Sequence, residues 1–215
     1  MLKLKKKGLL IVVSGPSGAG KDSVCEKVAQ ANSNIWTSIS CTSRPIRSGE
    51  MEGINYFYLT REAFEEKIKQ GHFLEYAIYN NNYYGTPLDK IEEKLNQGID
   101  VILVIDVQGA FNVKKIYDDA IFIFILPPSM EELRNRLINR GTEALDKILE
   151  RFKTAYKEIN EISKYNYVIV NDKLDEAVQK MLSIISSERC RVDRIEQTEL
   201  NTIEEVLHET LVDLK

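Results

Sequence analysis

Residues 9–21 read LLIVVSGPSGAGK: an apolar run from Leu9 to Val13, then Ser14, then Gly15-Pro16-Ser17-Gly18-Ala19-Gly20-Lys21. A short Ile- and Val-rich run without polar alternation suits a strand of a parallel sheet covered on both faces. The residues after it follow the pattern GxxxxGK, and Asp22 to Gln30 continues as a helix. Glycines at that spacing let backbone N–H groups turn inward around an anion. The helix N-terminus adds partial positive charge, and the lysine reaches the terminal phosphates. This strand–loop–helix unit predicts an α/β fold and nucleoside triphosphate binding, and it is silent on what receives the phosphate. A hydroxyl residue usually follows the lysine, but here Asp22 does, with Ser23 next and able to supply the hydroxyl. A carboxylate beside a triphosphate repels it unless it faces away or holds a metal through water.

The rest of the chain agrees with this opening. Val101–Ile105, Ile121–Leu126 and Tyr167–Val170 are further short apolar runs bounded by Gly, Pro, Asp or Asn. Helical segments with readable ends lie between them. Thr86-Pro87-Leu88-Asp89 offers a hydroxyl cap and a proline at the first helical position, followed by Leu88, Ile91 and Leu95 on one face. Ser129-Met130-Glu131-Glu132 repeats the capping pattern ahead of Leu133 and Leu137, and Asp172 and Asp175 open a last amphipathic helix. Strands alternating with such helices predict right-handed crossovers and a parallel sheet with helices on both faces. From Ser38 to about Tyr84 the alternation breaks. That stretch is polar and tyrosine-rich and reads as short half-polar strands around one helix (Thr60 to Gly71), an inserted α+β subdomain. The segment from Arg134 to Arg151 is dense in arginine, and the tail after Cys190 is charged and helical in pattern.

Composition narrows the partners. Apolar residues make up 43% of the chain and charged residues 29%, ordinary globular usage that excludes a disordered chain. A chain of 215 residues needs no disulfide staples, because it buries roughly 70% of its unfolded surface. The net charge of −4 argues against nucleic-acid or acidic-membrane partners, so an anionic ligand needs a local basic pocket. Cys25, Cys41 and Cys190 show no metal spacing and fit buried thiols in a reducing compartment. The lysines at 3, 5, 6 and 7 precede an apolar run too short for a secretion signal, and no window reaches membrane-span length. These features predict a cytoplasmic protein.

The acceptor end is the more specific. Ser40-Cys41-Thr42-Ser43-Arg44-Pro45-Ile46-Arg47 sets two guanidiniums three residues apart beside hydroxyls. Phe73-Leu74-Glu75-Tyr76 and Asn82-Tyr83-Tyr84-Gly85-Thr86-Pro87 follow. Arginines with tyrosine hydroxyls make a clamp for a phosphate monoester. One carboxylate, Glu75, can accept two hydrogen bonds from the N1–H and N2–H edge of guanine, an edge adenine lacks.

With GPSGAGK, SRPIRSGE, GINYF, FLEY, NNYYGTP, DVQGA, PPS, NRGTE and NYVIVND all in order, the chain resembles a guanylate kinase from Gly8 to about Arg191. The resemblance implies ATP-dependent phosphorylation of GMP, and of dGMP, with Mg2+. It implies a P-loop kinase core (about 1–37, 88–128 and 156–190), a GMP-binding insert (about 38–87) and a helical lid (about 129–155), followed by the tail (191–215). By position, Ser40, Arg44, Arg47, Tyr56, Glu75, Tyr84, Thr86 and Asp106 fall where that family binds GMP. Arg136, Arg140 and Arg151 fall in the lid that closes on ATP, Asn171 lies near the adenine, and the loop residues Gly15 to Ser23 hold the ATP phosphates. Lys21, Arg44, Arg140 and Arg151 are the expected catalytic set. Asp22, for a glycine or serine, and Val104, for an acidic residue, depart from the family pattern and leave the metal ligands unassigned. Two other readings stay open: a P-loop kinase of another acceptor such as dTMP or a sugar acid, and a non-catalytic module that binds phosphopeptides.

Overall fold

The structure is a computed structural model that describes residues 7–79, 81–139 and 145–194, with residues 205, 207 and 208 of the tail. Its centre is a parallel sheet formed by β1 (Leu10–Ser14), β2 (Ile35–Thr37), β7 (Asp100–Val104), β8 (Ile121–Leu126) and β9 (Tyr167–Val170). The strand order is β2-β7-β1-β8-β9, with Val12 of β1 level with Leu103 on one side and Phe122 on the other. Alternate residues of β1 feed opposite faces. Ile11 and Val13 pack with Val24, Val28, Val178 and Met181 of α1 (Lys21–Ala31) and α7 (Leu174–Glu188). Leu10 and Val12 pack with Ile91 and Leu95 of α3 (Leu88–Asn96) and Val113 of α4 (Val107–Lys114). Both faces are therefore dry, and Ile11, Val12 and Val13 have no exposed surface. Burying each such side chain is worth ~1.5–3 kcal/mol, which is why this run tolerates no polar alternation.

A second sheet, in the order β4-β3-β6-β5, carries the tyrosine-rich stretch: β3 (Cys41–Thr42), β4 (Phe57–Tyr58), β5 (Phe73–Tyr79) and β6 (Asn82–Pro87). Only its β3–β4 pair is parallel; β6 runs antiparallel to both β3 and β5. α2 (Arg61–Lys69) is capped by Thr60, whose hydroxyl accepts from the Ala63 amide, and it buries Phe64 between the rings of Phe73 and Tyr83. Two more helices, α5 (Met130–Asn139) and α6 (Leu145–Ile159), meet through Leu133, Leu137 and Ala155. The Ser129 hydroxyl caps the first of them by accepting from the Glu132 amide at 3.0 Å.

Some sequence expectations need correction. Thr86 does not cap α3. It stays in β6 opposite Glu75, 1% exposed, and its hydroxyl is spent on that carboxylate, so the helix starts at Leu88 with Pro87 as an uncapped boundary. The last helix has Lys173 rather than Asp172 at its cap position, with no side-chain cap bond. Cys25 and Cys41 are buried free thiols, whereas Cys190 is exposed because it lies just past the end of α7.

Candidate active site

β1 delivers the chain into the glycine loop at the C-terminal edge of the central sheet. Gly20 takes up the left-handed conformation at φ 87°. A Cβ there would come within 2.4 Å of Asn171 Nδ2, so both backbone and space demand glycine. Asn171 in turn donates to the Ala19 carbonyl at 2.8 Å, which ties the end of β9 to the loop. Lys21 folds back over the loop, its Nζ donating to the carbonyls of Gly15 (2.6 Å) and Pro16 (3.2 Å). Burial lowers the Lys21 pKa, opposed chiefly by Asp22 and Glu158 and less by Asp106. Asp22 and Ser23 are exposed in the first turn of α1.

Beside the loop, a cavity of about 200 Å3 opens between the end of β7 and the second sheet, lined by Ser40, Tyr56, Glu75, Tyr84, Val104 and Asp106 with Ala77, Gly85 and Ile105. Five of the residues expected to bind GMP therefore share one hollow. A sixth, Thr86, acts on it through Glu75, donating to Oε1 at 2.6 Å. Burial raises the Glu75 pKa; the Thr86 bond lowers it and the nearby Asp106 raises it further. Asp106 caps α4, its Oδ1 accepting from the Gly109 amide at 2.7 Å. The charge of Asp22 acts on both Lys21 and the Tyr56 hydroxyl, so loop and cavity adjoin.

The two arginines of SRPIRSGE separate. Arg44 is buried, 8% exposed, over the rings of Tyr56 and Tyr58 at 5.5 and 5.8 Å. Its guanidinium grips Glu50 through both nitrogens, at 2.8 and 3.0 Å. Arg47 is exposed and meets Glu50 through its backbone, so the expected side-by-side pair of guanidiniums is not assembled. The lid candidates divide as well. Arg151 donates to the Ser17 hydroxyl at 2.6 Å and so already lies on the loop. Arg136 donates to Glu132 and to the Asn171 carbonyl. Arg140 lies outside the described residues.

Two acidic groups escaped the sequence reading. Glu50 collects Arg44, the Arg47 amide and the Tyr58 hydroxyl, and Arg44 above all holds its pKa down to about 2. Its place in SRPIRSGE was visible, but its partner was not. Glu158 shares a face of α6 with Arg151 and Ala155. It is half-buried, with its pKa raised by that burial and opposed by Lys21. Among the described residues no group of three His, Cys, Asp or Glu side chains is arranged to hold a metal ion.

The comparison with known proteins fits this geometry. The sequence model of the guanylate kinase family matches residues 7–188. The chain belongs to the guanylate kinase family. A guanylate kinase of Clostridium tetani is 57% identical over 208 residues, 97% of this chain and 100% of the relative. One of Clostridium acetobutylicum is 51% identical over 210 residues, 98% of this chain and 100% of the relative. The crystal structure of guanylate kinase from Anaplasma phagocytophilum superimposes with a TM-score of 0.76 at 34% identity, covering 92% of this chain and 95% of that one. The parallel-sheet P-loop kinase fold of the guanylate kinase family is thus the fold of this chain, with the loop and the cavity at one edge of its sheet.

Proposed function

We propose that the chain transfers the terminal phosphoryl group of ATP to GMP, and to dGMP, giving ADP and GDP or dGDP. The observation that carries this reading is one buried carboxylate, Glu75, in a hollow of about 200 Å3, room for a purine base, beside an anion-binding loop. In the transfer the bond between the γ-phosphorus and the ADP oxygen breaks, and a bond to a GMP phosphate oxygen forms. The acceptor is ionised near neutral pH, so no general base is needed. Catalysis is then positioning and charge stabilisation.

The positions of the described groups support these roles. Gly15 to Ser23 cradle the ATP phosphates, and Lys21 exchanges the Gly15 and Pro16 carbonyls for phosphate oxygens. Ser40 and Glu75 read the base, with Thr86 contributing through its bond to Glu75; Arg44, Tyr56 and Tyr84 face the GMP phosphate, with Arg47 joining when ligand is present. Arg136, Arg140 and Arg151 belong to a lid of about 129–155 that closes over ATP, and the insert of about 38–87 carries GMP. Asn171 keeps the loop in shape below the adenine. Mg2+ fits the donor set, since Asp22 and Asp106 are exposed carboxylates whose charges both reach Lys21. Magnesium needs few protein ligands beside phosphates and water. Ser23, Asp22 and Asp106 would hold it, and it would neutralise charge on the β- and γ-oxygens.

Near-complete coverage by proteins named guanylate kinases favours GMP over dTMP or a sugar acid. An intact loop with its lysine favours an enzyme over a phosphopeptide-binding module. No helix among the described residues is long and apolar enough to cross a membrane, and three free cysteines suit a reducing compartment such as the cytoplasm. The deciding experiment is ADP release with GMP, dGMP, AMP, CMP, UMP and dTMP as acceptors, with and without Mg2+. Turnover confined to GMP and dGMP is expected, and equal turnover with AMP or dTMP would overturn the assignment.

A further inference from the structure

Gly109 is the third residue of α4, buried, and its φ lies outside the left-handed region. Nothing in its backbone asks for glycine. Inside a helix alanine would be the better residue by about 1 kcal/mol. What excludes a side chain is space of an unusual kind. A Cβ on residue 109 would lie 3.1 Å from Glu75 Oε2, 3.3 Å from Asp106 Oδ1 and 3.4 Å from Glu75 Cδ. Its nearest neighbours are therefore two carboxylates, one the cap of α4 itself and the other brought to it from β5.

Neither carboxylate is free to retreat. Asp106 is held at 2.7 Å by the amide of Gly109 itself, and Glu75 is held on its other oxygen by the Thr86 hydroxyl at 2.6 Å. The positive end of α4 offsets part of the repulsion between them. We propose that Gly109 is a positioning residue for base recognition: its missing Cβ is the room in which Glu75 Oε2 sits, and that room aims the carboxylate at the guanine edge. The inference rests on Glu75 reading the base. It adds that the reading depends on a residue which does not itself line the hollow. A methyl group at 109 would push the carboxylate by a few tenths of an ångström, and bound geometry is costly to disturb on that scale.

The test is Gly109→Ala in the full chain, with melting temperature, ATP affinity, and affinity for GMP and inosine monophosphate, which lacks the 2-amino group. A melting temperature at or above that of the parent is expected, with ATP binding unchanged and GMP binding weakened about tenfold. Inosine monophosphate should lose less, so the preference for GMP narrows. In a Glu75→Asp background, where the carboxylate is one methylene further back, adding Gly109→Ala should cost nothing more. If Gly109→Ala binds GMP within about twofold of the parent while Glu75→Gln does not, Gly109 has no positioning role and the base-reading role of Glu75 survives. If Glu75→Gln also leaves GMP binding unchanged, the base-reading assignment itself falls. Equal loss of ATP and GMP with a lower melting temperature would make the glycine structural and overturn the inference.

Discussion

Glu50 holds Arg44 through two parallel hydrogen bonds, Oε1 to Nη2 at 2.8 Å and Oε2 to Nη1 at 3.0 Å, in a loop where both side chains are largely covered. A guanidinium gripped this way cannot rotate, and it is fixed over the ring of Tyr56, which lines the cavity. Glu50→Gln removes the charge and one acceptor while keeping the shape. The KM for GMP should rise about tenfold, with the KM for ATP nearly unchanged, since only the acceptor clamp loosens. The pH dependence has a definite sign. Glu50 is depressed to about 2 in the fold, so its contribution is present above its ordinary value of 4.5 and is lost as pH falls toward 2. Melting curves of parent and variant should differ at pH 6 and converge on acidification. A gap that persists at acid pH would remove Glu50 as its source.

Glu75 behaves in the opposite sense. Burial raises its pKa, so the ionised group costs stability at neutral pH, and that cost disappears below its ordinary value of 4.5. Glu75→Gln should therefore melt higher than the parent at pH 7 and alike near pH 4. The same change should weaken GMP by roughly ten- to a hundredfold, the worth of charge-assisted hydrogen bonds to a base edge, and leave ATP alone. Calorimetry and titration on one pair of proteins would check both halves. A variant that melts lower at pH 7 would mean that the carboxylate is structural.

Arg151 already touches the loop at Ser17, so its removal takes one charge away from the glycine loop. Arg151→Ala should lower kcat by about a hundredfold or more with little change in GMP affinity, as expected for a group that acts on developing charge. Steady-state kinetics with both substrates varied would separate the two. A change confined to KM would assign Arg151 to ground-state binding.

What the sequence reveals depends on how local the cause is. The strand from Leu10 to Ser14 and its glycine loop are legible because burial on both faces leaves an unbroken apolar run, and the loop's glycines all sit at positive φ, a local demand of the backbone. β2 is not legible, since Ile35–Thr37 is only three residues long and gains its strand character from pairing with Asp100 to Ile102. Thr86 illustrates a local pattern overridden: hydroxyl and proline suit a helix start, but a buried carboxylate across the strand pair competes for the same hydroxyl and wins. Arg44 and Arg47 look equivalent in sequence because spacing in an irregular loop says nothing about direction. Only the fold shows that one is buried on Glu50 and the other exposed.

Glu158 supplies the last prediction. It lies two turns beyond Arg151 on one face of α6, so a single helix presents a cation to Ser17 and an anion toward Lys21. Burial lowers the Lys21 pKa and Glu158 opposes that fall. Removing the carboxylate should therefore let the ammonium lose its proton at lower pH. In Glu158→Gln the alkaline limb of kcat/KM for ATP should move down in pH, while at neutral pH the KM for ATP rises only about two- to fivefold, the worth of a partly solvated charge–charge attraction. The limb belongs to Lys21, whose pKa burial lowers, whereas the neighbouring Cys25, raised to about 12 by burial, titrates above it. A profile that superimposes on the parent would show that Glu158 serves only the packing of α6.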